Sequence, residues 1–138
     1  MIRLGILAPL IGLATGCIVN VDGPGQAPNL KPEVVAPLAG CYWSPADNTY
    51  VWYFDTYADD PDGAWDVDEV WADVYDLYYG DAFIQSFPLY RTNDPSRWYS
   101  DWLGWSTSLD CRYGGYVVDI VAYDAYGAFD LKTVTPIQ

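Results

Sequence analysis

Tyr116-Val117-Val118-Asp119-Ile120-Val121-Ala122 decides how this chain is read. Tyr116, Val118, Ile120 and Ala122 fall on one side of an extended backbone, and Asp119 falls on the other. That two-residue period marks a strand with one buried face. Ala125-Tyr126-Gly127 then supplies a turn into a second extended run, Phe129 to Val134. Working back along the chain, Asp68 to Leu77 sets Val70, Ala72 and Val74 against Glu69, Trp71, Asp73 and Tyr75. Tyr50 to Tyr57 sets Tyr50, Trp52 and Phe54 against a face holding Asp55. A turn at Tyr79-Gly80-Asp81 leads into Ala82 to Tyr90. Alternating segments separated by Gly and Asp turns predict an all-β domain over residues 39–138, an antiparallel β-sandwich.

One stretch carries helical signals instead. Asp94-Pro95 precedes Ser96 to Leu103, and Gly104 follows. An Asp cap, a first-turn Pro and a terminal Gly predict a short helix near 95–103. Trp98 and Trp102, four residues apart, would share one of its faces.

Composition agrees with aromatic strands joined by acidic loops. The chain has 138 residues, 7 Trp and 13 Tyr, and a net charge of -13. Its acids are Asp except for Glu33 and Glu69, and Asp prefers turns to strand or helix interiors. No Lys or Arg lies between Lys31 and Arg91, so the basic footprint of a nucleic-acid binder is missing. With no His in the chain, Ser-His and Cys-His chemistry and His-based zinc sites are excluded.

The first residues read MIRLGILAPLIGLATGC. Arg3, an apolar run from Leu4 to Leu13 and a small-residue exit form a secretory signal over residues 1–16. Leu13-Ala14-Thr15-Gly16-Cys17 resembles the lipobox of bacterial lipoproteins. The resemblance implies lipidation of Cys17, cleavage before it, and membrane attachment; Ile18 in place of an aspartate implies sorting to the outer membrane. Each buried methylene of such an anchor contributes about 0.8 kcal/mol. Residues 17–38 hold four prolines and read as a tether reaching roughly 60 Å at about 3.1 Å per residue. Within it, Val34-Val35 can pair as a first edge strand. If Cys17 carries lipid, Cys41 and Cys111 remain either as one disulfide or as two free buried thiols.

Tyr57-Ala58-Asp59-Asp60-Pro61-Asp62-Gly63, followed by Asp66-Val67-Asp68-Glu69-Val70, adds a further likeness, as does Gly115 to Gly127. These stretches resemble bacterial extracellular immunoglobulin-like domains, in the broad sense that includes fibronectin type III-like and cadherin-like modules. The resemblance implies an immunoglobulin-like sandwich and names no activity.

Three chemistries are open. Asp59, Asp60, Asp62, Asp66 and Asp68 concentrate carboxylates as a calcium site needs, although their spacing is not that of an EF-hand; the same residues also make a good turn. The many aromatics, Trp71, Tyr75, Trp98 and Trp102 among them, either form a binding surface for an envelope protein or polysaccharide, or fill the core beneath a helix lid. Paired Asp residues also suit a small hydrolase, which a chain without His or a cofactor motif favours least. The expectation is a non-enzymatic, lipid-anchored envelope module, with calcium or glycan binding as the alternative.

Overall fold

A computed structural model describes residues 28–138; the segment read as a signal sequence, Cys17 and half of the segment read as tether lie outside the described residues. Seven antiparallel strands make up the fold: β1 (Glu33–Ser44), β2 (Thr49–Asp59), β3 (Val67–Asp76), β4 (Ala82–Arg91), β5 (Arg97–Leu103), β6 (Tyr116–Asp124) and β7 (Phe129–Val134). The described chain is all-β, and its only helical pieces are three-residue 3-10 turns at Ala64–Asp66, Leu77–Tyr79 and Gly104–Ser106.

The strand order is β1-β2-β5-β4-β3-β6-β7. β4 joins β5 through just two residue pairs, Tyr90 with Tyr99 and Arg91 with Trp98. The sheet therefore folds over into two layers, β1-β2-β5 and β4-β3-β6-β7, as an antiparallel sandwich. The opposite seam nearly closes. Cys41 N donates to Ile137 O and Ile137 N donates to Ala39 O, each at 2.9 Å. Gly40 sits at this seam, where an added Cβ would lie 2.7 Å from both Ile137 O and the Tyr53 hydroxyl.

The inward faces meet in one core. Phe54 of β2 stacks on Phe87 of β4 with centroids 5.0 Å apart, and Trp52 meets Tyr116 edge-on at 5.9 Å. Val70, Ala72, Val74, Val118, Ile120 and Ala122 are buried on the side their alternation predicts. In β1 a bulge between Val35 and Leu38 shifts the register. It changes the parity, so that Val34 before it and Ala39 and Cys41 after it all point inward. Cys41 and Cys111 form a disulfide with Cα atoms 5.9 Å apart, tying β1 to the β5–β6 connection.

Two expectations are corrected. Residues 97–103 are strand β5, not a helix: Tyr57 to Val51 of β2 offers a full antiparallel partner, and that ladder overrides the local cap signals. The domain also starts before residue 39, because β1 begins at Glu33 and Val34 is buried in the core. The paired stretch thus extends into the segment read as tether.

Candidate functional site

The aromatic residues divide between core and surface. Trp98 points inward and is 5% exposed, and Trp102 packs against Phe87 with centroids 5.5 Å apart. Trp98 is a core residue, and Trp102 is half-buried and packs against that core, the arrangement of the core-filling alternative. They do share a face, through the two-residue period of a strand rather than a helical turn.

Trp71 and Tyr75 lie on the outer face of the β4-β3-β6-β7 layer. Register places Trp71 between Pro88 of β4 and Val121 of β6, with Leu131 of β7 beyond. The Trp71 indole donates to Glu69 Oε2 at 2.7 Å, which holds the ring across its own strand. Tyr123 and Phe129 pack beside this row with centroids 5.7 Å apart. On the other side, Tyr75 meets Phe83 edge-on at 5.7 Å, next to Val117.

Between these two apolar rows runs a polar one. Ser86, Asp73, Asp119 and Thr133 stand opposite one another across all four strands. Ser86 Oγ donates to Asp73 Oδ1, and Thr133 Oγ1 donates to Asp119 Oδ1 at 2.5 Å. Directly opposed carboxylates repel, and each is offset here by a hydroxyl from its outer neighbour. Burial raises the Tyr75 phenol pKa above its ordinary value, and the Asp73 and Asp119 carboxylates add to the rise. An open depression of about 450 Å³ lined by Tyr75, Leu77, Asp81, Val117, Asp119 and Thr133 lies at this end of the face.

The acidic bend between β2 and β3 is the second candidate. Gly63 N donates to Asp60 O at 2.8 Å, and Asp62 N donates to Asp60 Oδ1 at 2.8 Å, so the expected turn forms. Gly63 takes a φ of 132°, which side-chain-bearing residues rarely adopt. Of the five candidate ligands, Asp60, Asp62 and Asp66 bring one carboxylate oxygen each within 4.8 Å of the others. Asp59 and Asp68 are outside that group; Asp59 ends β2 and Asp68 lies in β3.

Sequence reasoning missed Arg91. Its guanidinium donates to Ala64 O and Pro95 O, each at 2.6 Å, and to Val67 O. It also lies between the rings of Trp65 and Trp98, 4.8 and 4.4 Å from their centroids. The only hint was an isolated Arg at the end of a strand. Tyr113 was missed as well: its hydroxyl donates to Asp76 Oδ1 at 2.9 Å, and burial followed by that carboxylate pushes its pKa up to about 12.

Compared with known proteins, the chain matches no family model, no curated protein and no solved structure.

Proposed function

We propose that this chain is an exported, lipid-anchored envelope module that binds a polysaccharide without chemically altering it. The observation that carries the reading is the outer face of β4-β3-β6-β7. There, aromatic rings at Trp71, Tyr75, Tyr123 and Phe129 flank a row of hydrogen-bonding groups at Ser86, Asp73, Asp119 and Thr133. Aromatic faces suit the C–H surfaces of sugar rings, and carboxylates accept from sugar hydroxyls. A net charge of -13 repels polyanions, so the favoured ligand is neutral or carries amino groups. The anchor rests on the lipobox-like Leu13 to Cys17, and the disulfide suits an oxidising compartment.

A glycan array probed with the wild-type chain and with Trp71→Ala and Tyr75→Ala tests the binding reading. Retention on neutral or amino-bearing glycans, lost in both variants, is expected; retention unchanged by either variant, or none at all, overturns it. Incorporation of a fatty-acid probe in cells tests the anchor, and labelling that persists in Cys17→Ser refutes it.

A further inference from the structure

We propose that the β2–β3 bend is a calcium site built from Asp60, Asp62 and Asp66. Three carboxylates converge there, one oxygen of each lying within 4.8 Å of the others. Convergence alone is common among exposed acids. The second observation is the state of Asp60, which is 7% exposed and has an Oδ2 with no hydrogen-bond partner among the described residues. The Asp62 amide occupies only Oδ1. A buried carboxylate oxygen without a donor is costly. Protein cations do not offset it: the ion pairs among the described residues are Lys31–Asp130, Arg97–Asp55 and Arg112–Asp110. Arg91 reaches the same segment but donates to the carbonyls of Ala64, Val67 and Pro95. A metal ion held by the three carboxylates would both fill the open Asp60 acceptor and offset the charge.

The donor set selects the ion. Hard carboxylate oxygens without His or thiolate favour calcium or magnesium over zinc or copper. Calcium tolerates the irregular geometry of a bend and completes its shell with water, whereas magnesium demands a near-regular octahedron. Three protein carboxylates place the affinity in the range of extracellular calcium modules, about 10⁻⁴–10⁻³ M. The position gives the ion a consequence. Asp62 Oδ2 also accepts from Leu30 N at 2.9 Å, and Asp66 O accepts from Ala125 N at 3.3 Å. A bound ion would brace the bend against both the segment entering the domain and the β6–β7 turn, stiffening the join between domain and anchor.

The test uses the full chain in detergent, stripped with chelator and titrated with calcium chloride by calorimetry, alongside thermal melts. Saturable binding near millimolar calcium and a rise in Tm are expected, with a much smaller response to magnesium. Asp66→Asn and Asp62→Asn should each weaken binding at least tenfold. Asp60→Asn should raise Tm in chelator, by removing the unpaired buried charge, and should abolish the calcium-dependent rise. Terbium luminescence sensitised through Trp65, which adjoins Asp66, gives a second readout that calcium should quench by displacement. Absence of both heat and Tm shift up to about 10 mM calcium overturns the proposal, as does a calcium response unchanged in Asp62→Asn and Asp66→Asn. If Asp60→Asn does not fold, those two less buried positions decide the matter.

Discussion

The guanidinium carbon of Arg91 lies 4.4 Å from the centre of the Trp98 ring, placing a charge against a core indole at the corner where the two layers meet. Trp65, itself exposed, covers the other side at 4.8 Å. Burial lowers the Arg91 pKa, and Asp68 partly counters this. The side chain thus holds the 3-10 turn before β3, the start of β3 and the β4–β5 turn in one cluster. Arg91→Lys keeps the charge but cannot reach three carbonyls while lying flat between two rings. We expect it to lower stability by about 2–3 kcal/mol, measured by urea denaturation; a loss within experimental error would mean the stack is incidental.

Trp98 and Trp71 should respond differently to the same substitution. Trp98 is enclosed by the core and Trp71 stands on an open sheet face. Trp98→Ala should cost about 3–5 kcal/mol, the usual price of a large core cavity. Trp71→Ala should cost well under half as much and take its effect on ligand retention instead. Thermal melts of the two variants side by side check the assignment, and equal losses would contradict it.

The Cys41–Cys111 bridge closes a separation of 70 residues. The chain-entropy relation puts its contribution at roughly 4 kcal/mol as an upper figure. The Cys41→Ala, Cys111→Ala double variant should therefore fold with a markedly lower denaturation midpoint, and reductant should shift the wild type toward it. Coincident curves for the wild type with and without reductant would show that the bridge adds nothing.

Alkaline pH should weaken the domain through Tyr113. Its pKa is raised in the folded state from 10.0 to about 12, so the fold holds the neutral phenol while the unfolded chain ionises. The folded state binds more protons in that interval, so stability is fully present below pH 10 and falls as pH rises toward 12. Tyr113→Phe should flatten that decline while giving up the hydrogen bond to Asp76. Denaturation midpoints followed across this range test the sign; a stability that rose with pH would refute it.

Much of the sandwich was legible before any contact was known. In β3 and β6 alternation named the buried side chains, in β2 it named Trp52 and Phe54 but not Val51, and the turns at Gly80 and Gly127 take the positive φ values of 72° and 85° that their residue types suit. Segment 97–103 was misread because a spacing of four puts Trp98 and Trp102 on one face in helix and strand alike. Flanking Asp-Pro and Gly then tipped a local reading toward helix. The acidic candidates were found as a set, but their selection was not: residues 59–68 are neighbours in sequence, and only the bend separates Asp60, Asp62 and Asp66 from the rest.

By itself the sequence determined most of the strand-forming segments, the buried face of β3 and β6 and several of the places where the chain reverses, because alternation and turn chemistry act between residues a few positions apart. Tertiary structure alone decided which strands share a layer, that Trp98 faces the core, that Arg91 lies between two indoles, and that one Asp60 oxygen is buried without a partner. Each of those depends on residues tens of positions apart coming into contact, and a local pattern holds no record of which distant surface will meet it.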